Sequence, residues 1–474
     1  MIVVLAVVVS IVAVILGFVF LRKRNKADDL TAIRRKMSFT SRSLYENTFP
    51  AEAEIMSIIN VELVMSRVPS KDEFVSRLME LYRDNPQLAR LRSRVEQVGF
   101  RDYRFTELKD LKDRLLQVVH VEVVRDDDAM SAIIEKVAGT GLPLDGLLHS
   151  YYLIQNQAGH SAVLFRFHHA LGDAMGLIDS FSSTLALEDG SPLVLGKPGA
   201  KGRKPSLKPG AVLKALVKLA TLPFVSDSKT VFTNSSEATG GPLKRLGARR
   251  FARTPPFSLE YIKAIKNSFG SVGCTVNDVL TAVLGAGLKK YVQETTNGQP
   301  SKLRAMMPVV LPRKKPDTLR NRWCFVSVDL HSQIVDPIAR LLNVHNDMEV
   351  IKASGEALLQ LTIQSIGGVF TSLSMKRQII SNQFASHSVI FSNVPGPPAP
   401  VKLCGIPVEH IYAPFPNVRL QVIALSYKGE VTVTFCADEG MVPNPDRLIE
   451  LFMEELEALG SAANISSSER LLLS

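Results

Sequence analysis

Residues 165–176, FRFHHALGDAMG, end an alternating apolar run in two adjacent histidines and place an aspartate four residues after the second. Val163, Phe165 and Phe167 alternate with Leu164 and Arg166, the period-two pattern of a strand. The run predicts a strand that stops at His168 and His169, with Gly172 letting the backbone turn before Asp173. Neighbouring strand residues face opposite ways. One imidazole can therefore face a cleft while the other packs or bonds beneath it.

An imidazole whose ordinary pKa is near 6.5 is largely neutral at pH 7 and can take the proton of an attacking hydroxyl. No serine elbow or cysteine nucleophile stands in the same segment, which favours direct transfer over a covalent enzyme intermediate. Metal binding is the rival use of two histidines and an aspartate. Against it, the paired histidines diverge on a strand, and no HExxH helix is present. Cysteines 274, 324, 404 and 436 lack CxxC spacing. No metal is expected. The plainer alternative is two satisfied histidines that merely finish a strand. Asp173 can orient the second histidine, or it can brace the loop by holding an arginine; bracing is the favoured reading.

Further segments follow in order: TVNDVLTAVLGAGLKKYV at 275–292, MPVVLPR at 307–313, LRNRWCFVSVDL at 319–330 and FSNVPGPPAPVKLCGIPVEHIYAPFP at 391–416. With HHALGDA, which is similar to an HHxxxDG signature, they resemble the wax ester synthase/diacylglycerol acyltransferase family of CoA-dependent acyltransferases over residues 50–460. The resemblance implies two similar α/β domains, each on a mixed sheet, with a tunnel between them and His169 midway along it. It also implies acyl transfer from a long-chain acyl-CoA, a co-substrate and not a bound cofactor, to a fatty alcohol or diacylglycerol. His169 would be the general base and His168 its support. Asn277 would donate to the thioester oxyanion near the tunnel, and Asp278 would hold a helix start. The alternative for both is plain helix capping.

Ser392, Asn393, Val394, Pro395, Gly396 and Pro397 follow a strand that the prolines cannot continue, so a rigid loop is expected there, as a tunnel wall or a clamp between domains. Arg313, Asn321 and Arg322 are candidates for structural bonds, the arginines also for CoA phosphate contacts. The signature's last glycine is Ala174 here. If the backbone stays right-handed after Asp173, alanine is tolerated; a positive φ would strain it. Tolerance is expected, because ALGDAMGLIDSF reads as the first turns of a helix. The rival functions are acylation of another alcohol such as a sterol, and a membrane-tethered lipid-binding protein of the same fold without turnover.

Residues 2–21, IVVLAVVVSIVAVILGFVFL, are uncharged and as a helix span about 30 Å, one bilayer crossing. Arg22, Lys23, Arg24 and Lys26 follow. A cleaved signal peptide would carry its basic residues first. The basic flank predicts a lumenal N-terminus and a cytosolic body, in the endoplasmic reticulum or alternatively the plasma membrane. Four cysteines without pairing motifs fit a reducing compartment. A net charge of +10 on a chain with 22% charged residues suits anionic lipid headgroups and CoA phosphates. No zinc finger, RNP-like or helix-turn-helix pattern supports nucleic-acid binding. The sequence does not fix an oligomeric state.

The expected organisation is an anchor with its basic flank at 1–26, a stalk at 27–49, an N-terminal domain at 50–188, a connector at 189–253, a C-terminal domain at 254–460 and a tail at 461–474. A helix is predicted from Ser70 to a break at Asn85–Pro86, with Phe74, Leu78 and Leu81 on one face. Others are expected from Asp126, after a Thr275 cap, and over 443–459. LLQVVHVEVVR is expected to be a strand. AVLKALVKLATLPFV, 211–225, is weakly amphipathic and suits either a membrane surface or the body. Protease added to sealed microsomes is expected to digest the body; full protection would reverse the predicted orientation.

Overall fold

The structure, a computed structural model, describes residues 34–46, 57–311 and 319–466, except 101, 182–184, 188–189, 192, 194–208, 223–224, 234–246, 297, 301, 320 and 371. The expected anchor at 2–21 lies outside them. Among the described residues no helix is long and apolar enough to cross a membrane.

Ser161–His168 is buried along its whole length, because both edges and both faces are covered. It lies antiparallel to Ile58–Met65 on one side and to His149–Asn156 on the other. Even Arg166 is buried, with its Nε donating to Asn60 Oδ1 at 3.2 Å and its Nη2 to the Thr140 carbonyl. Val119–Val124 adds in parallel beyond His149–Asn156. The other side of Ile58–Met65 is extended by strands from far along the chain, Ile406–Tyr412 and Val401–Leu403, and then by Leu185–Leu187. The first sheet is thus mixed and seven-stranded.

The second sheet is also mixed and seven-stranded. In order it holds Phe257–Ser258, Glu430–Asp438, Leu420–Tyr427, Val389–Pro395, Arg304–Val310 and Trp323–Asp329, with Arg249–Arg253 also paired to Glu430–Asp438. Val389–Pro395 runs parallel to both neighbours. Alternation divides its strands between two cores: Val422 and Ala424 face the helices of the second half, whereas Ile423 and Leu425 join the apolar cluster shared with the first sheet. The helix Val276–Thr296 is buried on nearly every face among those helices, where Gly285 lets the Leu330 carbonyl approach its backbone.

Local capping follows the sequence. Ser70 accepts from Glu73 N at the start of Lys71–Asp84, and Asp126 caps Asp127–Ala138. Thr275 Oγ1 accepts from Asp278 N before Val276–Thr296, and Asn444 caps Pro445–Ala462. Three expectations are corrected. Residues 34–46, read as stalk, form the strand Arg34–Lys36 and the helix Phe39–Tyr45. Ser38 caps that helix, and Met37 and Leu44 bury into the shared core. The LLQV part of LLQVVHVEVVR is the end of a helix, Leu111–Val118, because Leu111 and Leu115 bury one face; only Val119–Val124 is strand. The second sheet starts before residue 254, at Arg249–Arg253, and residues 401–412 leave it for the first. The 209–221 helix packs on Pro337–Ser354 while Leu213 and Val217 stay exposed.

Polar clasps join the two halves. Arg253 reaches the fully buried Glu62 with both terminal nitrogens, at 2.9 and 2.6 Å, and stacks over Tyr412. Removing one partner strands a buried charge. Arg253→Ala is therefore expected to lower unfolding stability by about 3 kcal/mol, read as a fall in the chemical-denaturation midpoint; a change near zero would show that the pair only decorates the junction.

Candidate active site

The histidine strand delivers its last two side chains into different surroundings. His168 is buried, with its Nδ1 accepting from Ala170 N at 3.1 Å and its ring edge-on to Tyr45. Burial pushes its pKa down to about 3. It is a neutral, structural imidazole that pins the turn. His169 lies at the wall of a cavity between the two sheets, with its ring 5.1 Å from that of Trp323. Its Nδ1 is buried and no protein group bonds to it. Burial lowers its pKa, while the Asp173 carboxylate opposes the shift.

Both backbone groups of His169 are held. Its N–H donates to the Ser57 carbonyl, and its own carbonyl accepts from Asn321 Nδ2 at 2.7 Å. Asn321 is oriented by Trp323, whose Nε1 donates to its Oδ1 at 3.2 Å, so its amide must face His169 and the buried Ser41 hydroxyl. Arg90, also buried, donates to the carbonyls of Leu171 and Leu319 and ties the same two segments together.

Asp173 does not orient His169 by a hydrogen bond. Its Oδ1 accepts from Gly176 N at 3.0 Å, capping the helix Ala174–Phe181, and its Oδ2 faces Arg322 N at 3.5 Å. These contacts tie the turn to backbone groups on both sides of the junction between halves. Ala174 opens that helix, and positive φ among the described non-glycine residues is confined to His331, Cys404, Lys428 and Asn464. The alanine is therefore unstrained. Gly172 is used differently from the sequence reading: its φ is not positive, but a Cβ there would meet the Leu319 carbonyl at 3.0 Å. Close approach of the two segments favours glycine.

The cavity is overwhelmingly apolar. Ile59, Val61, Phe165 and Phe167 wall it from the first sheet; Trp323, Phe325, Ile390 and Leu425 wall it from the second. Ser392 and Asn393 also line it, yet they stand in a strand and not in a loop, because Val389–Pro395 stays paired to Leu420–Tyr427 as far as Pro395. The proline is tolerated since pairing with Arg304–Val310 has ended at Ile390 and that edge is open. Gly396 donates to the Ser426 carbonyl at 2.9 Å, so close that any Cβ would strike it. Asn277 and Asp278 do not line the cavity. The Asn277 carbonyl accepts from Thr281; Asp278 is buried and accepts from Thr275 N and His345 Nδ1, both at 2.9 Å. They serve a helix start. Arg313 lies outside the described residues. The sequence reading missed the aromatic row Trp323, Phe325 and Phe384, and the amides Asn417 and Gln421; the chain's single tryptophan was the available signal.

Residues 319–460 match the family profile described as the WS/DGAT C-terminal domain. A wax ester synthase/diacylglycerol acyltransferase of Arabidopsis thaliana is 23% identical over 71% of this chain and 77% of its own length. A Mycobacterium tuberculosis protein provisionally named a diacylglycerol O-acyltransferase is 27% identical over 67% of this chain, and the alignment spans only 66% of that protein. Over two thirds of its length the chain is thus similar to wax ester synthase/diacylglycerol acyltransferases, and residues 319–460 match that family's C-terminal domain. Its fold is similar to the solved structure of the family enzyme from Marinobacter aquaeolei VT8, with a TM-score of 0.60 at 19% identity over 91% of this chain and 100% of that one. The first condensation domain of the calcium-dependent antibiotic synthetase shares the fold at a TM-score of 0.56 and 13% identity, over 94% of this chain and 100% of that domain.

A bracing role for Asp173 is directly testable. Asp173→Ala is expected to cost about 1–2 kcal/mol through the lost helix cap, whereas Asp173→Asn, which keeps an acceptor for Gly176, is expected to retain most stability and part of any activity. Thermal melting of both variants checks this, and an equal loss in the two would contradict it.

Proposed function

We propose that the protein is an O-acyltransferase, tethered by residues 2–21, that moves a long-chain acyl group from acyl-CoA to a fatty alcohol or diacylglycerol. The observation that carries the reading is a single neutral imidazole, His169, set in the wall of an apolar cavity between two sheets and fixed through its backbone from both halves. His169 accepts the hydroxyl proton as the alcohol oxygen bonds to the thioester carbon. The C–S bond then breaks, and His169 returns the proton to the CoA sulfur. A thioester is already activated, so positioning and base catalysis suffice without a covalent enzyme intermediate. His168 and Asp173 position the turn. The apolar walls suit hydrocarbon chains on either substrate. The tether and cytosolic placement rest on the apolar 2–21 segment and its basic flank.

Labelled palmitoyl-CoA supplied with hexadecanol or with diacylglycerol is expected to yield wax ester and triacylglycerol at unequal rates. His169→Ala is expected to lose at least about 10²-fold in kcat while staying folded. Because burial lowers the His169 pKa, the neutral base persists on the acid side of an ordinary imidazole. The acid limb of kcat/KM is thus expected below pH 6.5. Near-normal turnover in a folded His169→Ala protein would end this mechanism. CoA release with a water-soluble alcohol or amine, and neither lipid product, would end the lipid-acceptor assignment.

A further inference from the structure

Two buried amides stand together in the largely apolar cavity wall at a place no catalytic step uses. Asn417 and Gln421 both line it and are 4% and 1% exposed. Their orientation is fixed by a chain of bonds. Val418 N donates to Asn417 Oδ1 at 2.8 Å, so Asn417 Nδ2 must face Gln421, and it donates to Gln421 Oε1 at 3.1 Å. That leaves Gln421 Nε2, a buried donor to which no protein group offers an acceptor. Buried donors are almost always satisfied, and most of the cavity wall is apolar.

Register locates the amide. Gln421 pairs with Ile390, and Ile390 pairs with Met306, which in turn faces Ser327. Trp323, the ring beside His169, lies four residues along the same strand as Ser327 and three strands away from Gln421. Four residues at about 3.4 Å and three strand spacings at about 4.8 Å put the two Cα atoms about 20 Å apart. On that spacing, an ester carbonyl on a glycerol whose free hydroxyl sits at His169, beside Trp323, is expected to fall short of Gln421. A long chain stretched along the cavity does reach it.

We propose that Gln421, held by Asn417, is a binding site for an oxygen carried on the far part of a substrate chain, a ketone carbonyl or a hydroxyl acting as acceptor. The enzyme thereby favours in-chain oxygenated substrates over plain hydrocarbon chains. The inference rests on the acyltransferase reading above. A plain methylene placed against Gln421 leaves its N–H unpaired, whereas a ketone oxygen there accepts from it. The oxygen belongs either to the acyl chain of the donor or to the chain of the alcohol, and the two are separable by experiment.

Full-length enzyme in detergent is assayed first with palmitoyl-CoA and hexadecanol. In one arm a ketone is stepped along the distal half of the palmitoyl chain; in the other it is stepped along hexadecanol. One position in one arm is expected to raise kcat/KM about tenfold above the plain chain, and Gln421→Met, of similar size but without the donor, is expected to bring that ratio to about one. The inference is overturned if no ketone position beats the plain chain in the unaltered enzyme, or if the advantage survives in Gln421→Met. Should that variant not fold, the scan of the unaltered enzyme decides alone. If the plain reaction itself gives no product, the acyltransferase reading fails instead. The ketone and plain chains are then compared by the Tm shift each causes, and equal shifts overturn the site.

Discussion

The bond from Asn321 to the carbonyl of His169 holds the functional centre together. Three segments distant in sequence converge on that one amide: the helix Phe39–Tyr45 through Ser41, the histidine turn, and the edge of the second sheet through Trp323. Each bond fixes the orientation that the next requires, since the indole can only donate and the carbonyl can only accept. The imidazole is therefore placed not by its own ring partners but by its main chain, clamped between Ser57 and Asn321. Gly172 and Leu319 touch backbone to backbone beneath it, and Arg90 bonds to both sides of that contact. The site exists only where the two sheets meet.

This arrangement shows how an apolar cavity can hold a polar side chain. Burying an imidazole lowers its pKa by desolvation, and the structure applies that effect twice with different results. His168 is sealed and bonded to Ala170, which makes it a fixed part of the turn; His169 keeps a face to the cavity. The carboxylate four residues later caps a helix at the junction. Its charge still acts on His169 at a distance, so one aspartate both braces the turn and moderates the shift.

Much of this was legible in the sequence where the signal is local. The strand 161–168, the helix starts at Ser70 and Asp126, the cap at Thr275, and the contrast between the two histidines all follow from period, side-chain chemistry and alternation. What was not legible depends on partners far away in the chain. The Asn277–Asp278 pair has the composition of a site, but its helix is buried in the core of the second half. Pro395 looks like a strand breaker until the sheet order shows one side of its strand open. The lining of Trp323, Phe384, Asn417 and Gln421 is set by strand register between segments with no common local pattern. Stalk residues 34–46 look unremarkable until the burial of Leu44 and Ser41 gives them a place.

The loan of residues 401–412 to the first sheet has a consequence for how the protein comes into being. Ile58–Met65, at the centre of that sheet, pairs on one side with Ser161–His168 and on the other with a strand more than 300 residues downstream. During synthesis, that edge stays open while the second sheet is being made, exposing an apolar strand with unpaired amides. The first half cannot mature ahead of the second, and a fragment cut between them would lack a strand of its own sheet. The two halves look like separable domains in outline, yet the first sheet is complete only once residues 401–412 have been made.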